Sequence, residues 1–349
     1  MRELSALYRK VARKVLAETL AVKKGEAVTV EAWTNGLDFA RIAVAEARSM
    51  GCTAMLVLED EQAYVEALTR SPSETIGKMG KNEYGMLSGT DAYVFVPGPI
   101  LAAYQTKVKP QLVNDSTEYN ESWYKAAEKA ELRGARLTFG YVGEDLAKIL
   151  GKTVRQVVEL QLNAALVDFK KISKSAQGVK ALCEEGKEGV LNAAGSKLDF
   201  VLDGGTTVED GIASRADVEA GENMTYVPPG FVSCSVDKSS ASGTVMVSQT
   251  VTRRGLLHDA VLTFEEGKLT KWRSQRSKEL LEELIRAVPE ERRRLTILNV
   301  GVNPKMGFLY GQDRMVAGSV TLGGFGLMAV VREGNLSFDG KQAVKAGKL

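Results

Sequence analysis

The hydrophobic pattern changes between the two halves of this 349-residue chain, and that change constrains the fold most. In the first half, the strand-like runs AVTVEAW (27–33) and CTAMLVLED (52–60) flank a helical segment, TNGLDFARIAVAEARSMG. A strand, a helix and a strand within about thirty residues predict a right-handed parallel crossover. The strand-like runs DAYVFVPGP (91–99) and RLTFGYV (136–142) continue the alternation. We therefore predict an α/β N-terminal domain, an open and mostly parallel sheet with helices on both faces.

The second half reads differently. The runs KLDFVLD, MTYVPP, GTVMVSQTV and DAVLTFEEGKLTKWRS are short, alternate with period two, and are separated by turns rich in Gly, Asp and Ser. One helical segment, SKELLEELIRAVPEERR, precedes a return to strands in TILNVGVNP, AGSVTLGG and GLMAVV. This pattern predicts an α+β C-terminal domain with a largely antiparallel sheet or barrel. The length suits two domains, which we expect at 1–185 and 186–349.

Charge and cysteine content narrow the range of partners and compartments. The 46 basic and 44 acidic residues nearly cancel and are interspersed, so we expect neither a nucleic-acid partner nor a membrane partner. No apolar run approaches the length of a membrane span, and charges throughout residues 1–24 predict no secretory signal. The three cysteines, Cys52, Cys183 and Cys234, form neither a CxxC pair nor an even framework, which is typical of a reducing cytoplasm.

A single histidine limits the chemistry. His258 precedes a strand of the second half, and one imidazole is too few for most catalytic metal sites or nucleophile–histidine triads. No GxGxxG follows the first strand, and no GxxxxGK[ST] occurs anywhere in the chain. The first half is therefore interpreted as a scaffold or substrate-access domain and not as a nucleotide site.

Several segments in series resemble one family of peptidases. They are LAVKKGEAVTVEA, GSKLDFVLDGG, GENMTYVPPG, GTVMVSQTV, LTFEEGKL, and NVGVNP followed by AGSVTLGG. In this order they are similar to the M29 family, which comprises aminopeptidases T and S and thermophilic metalloproteases. The resemblance implies an exopeptidase fold with two divalent metals in the C-terminal domain, held by carboxylates and histidines. It also implies a homodimer.

Most of the metal ligands that this resemblance implies are replaced here. The first carboxylate falls on Glu222 and is present, but the second falls near Ile297, where no acid lies. The implied histidine falls on or beside Thr321, and the implied His-x-Asp falls around the apolar run LMAVV at 327–331. A single carboxylate does not hold a dicationic centre, so we expect a degenerate metal site with no divalent cofactor. We therefore expect a pseudoenzyme with respect to the family's metal-dependent hydrolysis.

The same replacements predict an apolar pocket with a few polar groups at its edge, which is typical of a small-molecule or peptide site. The alternative is that side chains have filled the former cleft and left a packed core. Glu222 is the candidate catalytic residue, as a general acid or base with a pKa raised by apolar neighbours, or else it is an ordinary surface residue. The pocket residues that we predict are Tyr226, Ile297, Tyr310, Asp313, Thr321 and Met328.

Three functional hypotheses follow. In the first, a divergent M29-like protein has lost two-metal hydrolysis and binds a peptide, an amino acid or another small molecule, as a homodimer or with a protein partner. In the second, the remodelled pocket belongs to an enzyme of another class that uses metal-free acid–base or transfer chemistry. In the third, the chain is an aminopeptidase with an unusual metal site. Cys234 is a further candidate nucleophile, or else an inert small residue.

Overall fold

The computed structural model describes residues 2–99, 110–248, 250–252, 255–308 and 312–349, without the side chains of 2, 73–74 and 110–118. The chain divides into two compact units. The first consists of Met1–Leu166 and Gly211–Pro228, and the second consists of Val167–Asp210 and Pro229–Leu349.

Helices and strands are numbered in chain order. The helices of the described chain are α1 Arg2–Lys14, α2 Leu37–Ser49, α3 Glu61–Arg70, α4 Ser73–Ile76, α5 Lys81–Ser88, α6 Pro110–Lys129, α7 Glu144–Ile149, α8 Val154–Ala165, α9 Phe169–Glu185, α10 Arg215–Glu219 and α11 Lys278–Arg286. The strands are β1 Ala27–Trp33, β2 Thr53–Glu59, β3 Ala92–Val96, β4 Arg133–Leu137, β5 Glu188–Ala193, β6 Ser196–Glu209, β7 Met224–Val227, β8 Phe231–Val236, β9 Ser242–Val247, β10 Thr250–Thr252, β11 Gly255–Leu257, β12 Ala260–Glu265, β13 Lys268–Ser274, β14 Ile297–Gly301, β15 Val320–Gly323, β16 Ala329–Val331, β17 Gly334–Phe338 and β18 Lys341–Val344.

The first unit is built on a five-stranded parallel sheet in the order β2-β1-β3-β4-β7. One face of β1 carries Val28, Val30 and Ala32, which are buried, and α2 packs on this strand and on β2. The opposite face carries Tyr93 of β3, whose ring meets the ring of Trp123 in α6 at 5.2 Å between centroids. Helices therefore cover both faces, because each face presents apolar side chains that must be removed from water.

The second unit is built on an antiparallel sheet of eleven strands, whose main path is β13-β12-β9-β6-β8-β14-β15-β16. Strands β5, β17 and β18 join it beside β6, and β10 and β11 form a separate two-stranded antiparallel sheet. The core of this unit contains large side chains such as Phe264 and Phe325, with ring centroids 5.3 Å apart. The predicted fold class, a parallel α/β domain with an α+β domain of largely antiparallel strands, is confirmed.

Individual elements differ from the sequence predictions. The strand MTYV is β7, and it pairs in parallel with β4 instead of belonging to the antiparallel sheet. An edge strand of a parallel sheet shows the same alternation of buried and half-buried residues as an antiparallel strand, so the pattern did not separate the two. The apolar spacing of TVRQVVELQLNAALVDFKKISKSA (153–176) predicts one long helix. The structure has two helices there, because Asp168 caps α9 by accepting hydrogen bonds from the amides of Lys170 and Lys171.

No helix within the described ranges is both long enough and apolar enough to traverse a bilayer.

Candidate functional site

Ile297 and Thr321, two positions at which the family resemblance implied metal ligands, lie on one face of the sheet in the second unit. Along β14, Leu298 and Val300 are fully buried on one side, whereas Ile297 and Asn299 point to the other. Asn299 pairs with Thr321 of β15 and with Ser233 of β8. Since directly paired residues share a face, these side chains form one row across neighbouring strands. We call this surface the β14 face.

The row continues beyond these three strands. Ser233 pairs with Thr207 of β6, and Thr321 pairs with Val330 of β16. The middle of the β14 face is therefore lined by three hydroxyls and one amide, none of them charged. Such groups hydrogen-bond to neutral polar atoms, for example those of a peptide backbone.

Asn299 and Thr321 form the buried centre of the β14 face. Their side chains are 2% and 1% exposed, and Asn299 Nδ2 donates a hydrogen bond to Thr321 Oγ1 over 2.9 Å. A buried amide without such a partner would cost free energy, so the pair fixes the orientation of both side chains.

Two apolar side chains lie at the open end of the β14 face. Ile297 is 39% exposed and Met328 is 41% exposed. Both lie over Gly323, where an added Cβ would meet Met328 Sδ at 2.5 Å and Ile297 Cβ at 3.9 Å. Ser235, which pairs with Ile297, is half-buried beside them. A glycine at this position gives Met328 its space, and the two side chains together form a small exposed apolar patch.

The opposite end of the β14 face carries an aromatic ring and a cation. Phe231 pairs with Gly301 of β14 and with Glu209 of β6. The guanidinium of Arg314 lies over the Phe231 ring, 4.2 Å from its centroid. The face thus runs from an apolar end, through a neutral polar middle, to an end that contains charge.

The turn after β14 is held by a buried asparagine. Asn303 Nδ2 donates to the carbonyl of Pro229 over 2.8 Å, and its Oδ1 accepts from the amide of Lys305 over 2.9 Å. These bonds tie the end of β14 to the start of β8 and so support the register of the β14 face.

The structure therefore brings together Ile297, Thr321 and Met328 from the predicted pocket. Asp313 lies in the same unit, buried in the short turn Asp313–Met315, where its carbonyl accepts a hydrogen bond from Ser319 Oγ. Tyr310 lies outside the described residues.

Two predicted residues belong to the other unit. Glu222 follows α10 with an exposed side chain, and its amide donates to the carbonyl of Asp217 over 2.8 Å. Tyr226 lies in β7, where the guanidinium of Arg136 lies 5.8 Å from its ring centroid. Within the first unit, the expectation of apolar neighbours around Glu222 is wrong, because its side chain is in solvent.

The donor set on the β14 face does not fit a pair of divalent cations. Ile297, Met328 and Val330 offer no oxygen or nitrogen ligand, and the Thr321 hydroxyl already accepts a bond from Asn299. Across the part of the chain that the structure describes, no three or more His, Cys, Asp and Glu side chains are grouped so that they could hold a metal ion. The backbone amide of His258 donates to Ser277 Oγ at the start of α11, and His258 precedes β12.

Sequence reasoning missed the polar residues of the β14 face. Asn299, Ser233 and Thr207 belong to three strands that are separated in sequence, and their alignment depends on pairing register. The alternation within ILNVG did contain a signal, since the polar Asn299 stands between two aliphatic residues whose side chains lie on the other side of the strand.

A second feature that the sequence did not indicate is a buried acid in the first unit. Glu31 of β1 accepts a hydrogen bond from the Tyr93 hydroxyl. Burial raises the pKa of Glu31 to about 7, and the carboxylates of Glu59 and Glu83 add to the rise. The hydrogen bond from Tyr93 and the charge of Arg136 act in the opposite direction.

Arg136 shares its row with Glu31. The in-register pairs place Glu31, Phe95 and Arg136 on the same face of the parallel sheet. The Arg136 guanidinium lies 5.4 Å from the centroid of the Phe95 ring, so an aromatic side chain stands between the acid and the cation. The Phe95 ring thus separates the buried Glu31 carboxyl group from the Arg136 cation.

Comparison with known proteins gives a consistent picture of the fold. The model of the family described as thermophilic metalloprotease (M29) matches residues 5–293. Among solved structures, wild-type AmpT from Thermus thermophilus is 18% identical, with a TM-score of 0.67 over 98% of this chain and 99% of that one. The 2,5-dihydroxypyridine dioxygenase from Pseudomonas putida KT2440 is 13% identical, with a TM-score of 0.67 over 99% and 97% of the two chains. No curated protein matches. Because the family model spans most of the sequence, this chain belongs to the M29 thermophilic metalloprotease family.

Proposed function

We propose that this chain is a non-hydrolytic member of its family, which binds a peptide or small molecule on the β14 face. The observation that carries the proposal is the exposed patch of Ile297 and Met328 beside the hydrogen-bonded Asn299 and Thr321. Concave protein sites for neutral ligands combine apolar contact area with a few oriented polar groups. The β14 face offers both within a few residues of each other.

The absence of hydrolysis follows from the side chains that replace the expected ligands. Hydrolysis by two metals needs a bridging water and a polarised carbonyl, and both require several carboxylate or imidazole ligands. Ile297, Met328 and Val330 supply none. A protein with this donor set has no means of generating a metal-activated nucleophile on this face.

The first experiment measures metal content and peptidase activity together. The full chain is purified in the presence of excess Zn²⁺ or Co²⁺, dialysed, analysed by inductively coupled plasma mass spectrometry, and assayed with aminoacyl chromogenic substrates. We expect neither stoichiometric metal nor cleavage. Two equivalents of bound metal with metal-dependent cleavage would overturn the proposal in favour of an aminopeptidase with an unusual site.

The second experiment identifies ligands and places them. Amino acids, dipeptides and tripeptides are screened by thermal shift, and affinities of the hits are measured by isothermal titration calorimetry. Met328→Ala should weaken binding about tenfold or more, since about 1.4 kcal/mol of lost apolar contact corresponds to that factor. Met246→Ala is the matched control, because Met246 is a similarly exposed methionine, at 37%, on β9 of the same unit.

Each outcome of the second experiment is informative. Equal affinity of the Met328→Ala and Met246→Ala variants would remove the β14 face as the binding site. Conversion of a bound ligand to product, followed by mass spectrometry, would favour the alternative of a metal-free enzyme. Retained binding without any conversion is the result that we expect.

We also propose that the chain forms a homodimer, as the family resemblance implies. Supporting evidence comes from β2, the edge strand of the parallel sheet, where Met55, Leu56 and Leu58 are 43%, 37% and 47% exposed. An uncovered apolar edge strand invites pairing, and a two-fold axis would pair the same strand from two copies. Leu58→Lys should shift the mass measured by light scattering from dimer to monomer, whereas an unchanged dimer would exclude this edge.

A further inference from the structure

Two of the three cysteines meet inside the second unit. Cys183 on α9 and Cys234 on β8 are 2% and 1% exposed, and their Sγ atoms are 2.8 Å apart. They are separated by 51 residues in sequence, so only the fold brings them together. The third cysteine, Cys52, lies in the first unit, where its thiol donates to the carbonyl of Lys23 over 3.3 Å.

The location of the pair follows from the alternation of β8. Ser233 and Ser235 point to the β14 face, so Cys234 between them points to the opposite, buried side of the strand. Helix α9 lies there, with Cys183 among its buried residues. The pair therefore joins the helix to a strand whose other side lines the candidate binding face.

We propose that Cys183 and Cys234 form an internal disulfide when the chain meets an oxidant of the small-molecule disulfide class. The two sulfur atoms already lie closer than separate side chains normally pack, and an S–S bond of about 2.05 Å requires only a small further approach. Helix α9 and strand β8 are already in contact, and the two Sγ atoms already meet between them.

The exchange balances in two steps. The thiolate of one cysteine attacks a sulfur of the oxidant, forming a mixed disulfide and releasing one thiolate of the oxidant. The second cysteine then attacks the mixed disulfide at the protein sulfur, forming the Cys183–Cys234 bond and releasing the other thiolate. Both cysteine protons end on the released thiolates, so one oxidant disulfide becomes two thiols.

Burial controls how fast the reaction runs. The mutual hydrogen bond and burial raise the pKa of the Cys183 thiol, so little reactive thiolate forms while α9 is in place. Oxidation is therefore slow in the folded chain and faster during folding or local opening of α9. In a reducing compartment, such as the predicted cytoplasm, the pair remains a dithiol.

The fold should strongly favour the bond once it can form. In the chain-entropy description, closing a loop of this length favours the folded state by roughly a thousand-fold over the unfolded chain. By linkage, the folded protein should retain the disulfide at a glutathione ratio roughly a thousand-fold more reducing than the urea-denatured chain does.

The test uses the full chain in two arms. In one arm the folded protein is incubated with oxidised glutathione, and in the other it is refolded from urea in a glutathione redox buffer. Free thiols are then blocked with N-ethylmaleimide under denaturing conditions and counted by intact mass spectrometry. We expect one label instead of three, loss of two hydrogen atoms, and a linked peptide pair that contains Cys183 and Cys234.

Cysteine-to-alanine variants distinguish the Cys183–Cys234 disulfide from other oxidation products. Cys52→Ala should still form the link and leave no labelled thiol, whereas Cys183→Ala should leave Cys234 labelled or joined to glutathione. Three labels in both arms would overturn the proposal, as would glutathione adducts on both Cys183 and Cys234 without a link between them. In the Cys234→Ala variant, Cys183 should likewise be labelled or joined to glutathione. If one of the two variants does not fold, the other still provides the test.

Discussion

Replacing Glu31 with glutamine should change how the stability of the protein depends on pH. Glu31 is buried on β1 and is hydrogen-bonded by the Tyr93 hydroxyl, and its pKa is raised from 4.5 to about 7, chiefly by burial. The folded state thus holds the proton more tightly than the unfolded chain does. A glutamine at this position carries no ionisable proton, and its side-chain carbonyl can still accept the Tyr93 hydrogen bond.

The magnitude follows from linkage between protonation and folding. Each pKa unit corresponds to about 1.4 kcal/mol, so a rise from 4.5 to about 7 corresponds to about 3 kcal/mol. Because the pKa of this acid is higher in the folded state, the contribution is fully present below pH 4.5 and is lost as the pH rises through about 7. As the pH rises, the free energy of unfolding of the wild type should therefore fall by about 3 kcal/mol, whereas that of the glutamine variant should not.

Urea unfolding between pH 5 and pH 8.5, followed by tryptophan fluorescence, measures this difference. The fluorescence of Trp123 reports on the surroundings of Glu31, since its ring packs on Tyr93, which donates the hydrogen bond to Glu31. The wild type and the Glu31→Gln variant should differ little at the acidic end and diverge as the pH rises, with the variant more stable. Glu26→Gln is the control, and its stability difference from the wild type should stay nearly constant over this pH range. Partial burial acts to raise the pKa of Glu26, but the hydrogen bond from the Lys23 amide and the ion pair with Arg133 outweigh it and lower that pKa below 4.5, so the contribution of Glu26 is lost only at lower pH.

A difference between wild type and Glu31→Gln that stays constant across this pH range would refute the reasoning. It would mean that Glu31 titrates alike in the folded and unfolded chains, and that burial does not govern its protonation.

Three further predictions concern stability. Oxidation of Cys183 and Cys234 to the disulfide should raise the free energy of unfolding by about 4 kcal/mol, measured by urea unfolding with and without reductant. Thr321→Val should destabilise the second unit by about 1–3 kcal/mol in the same assay, because it leaves the buried Asn299 amide without its acceptor. Asp60→Ala should lower the free energy of unfolding by about 1 kcal/mol, because Asp60 Oδ1 caps α3. Hydrogen exchange should also show reduced protection of the amides in the first turn of α3.

The fold class could be predicted from the sequence because it depends on the local periodicity of apolar residues. The alternation of strand and helix in the first half, and of buried and exposed residues in the second, each predicted the right kind of sheet. The sequence was less informative where two structures share one pattern, as with β7. The Asp168 cap was overlooked because the apolar spacing runs on through it, although an aspartate before a helical run is itself a start signal.

The candidate site was accessible only in part. The sequence predicted three residues of the face individually, namely Ile297, Thr321 and Met328. The structure brings them together because β14 pairs with β15 and Met328 lies over Gly323. The sequence predicted neither the polar row through Asn299 nor the contact between Cys183 and Cys234. Both depend on contacts between residues distant in sequence, and register between strands is set by the whole sheet and not by any one segment.

The exposure of the side chains on the β14 face differs from one part of the face to another. Thr321 and Val330 are 1% and 2% exposed, so their end of the row has closed into the protein interior. Ile297 and Met328 keep about two-fifths of their surface in solvent. A substitution at Thr321 therefore tests folding, whereas a substitution at Met328 tests binding at little cost to the core. That division is why Met328→Ala, compared with Met246→Ala, is the variant that decides whether a ligand binds on the β14 face.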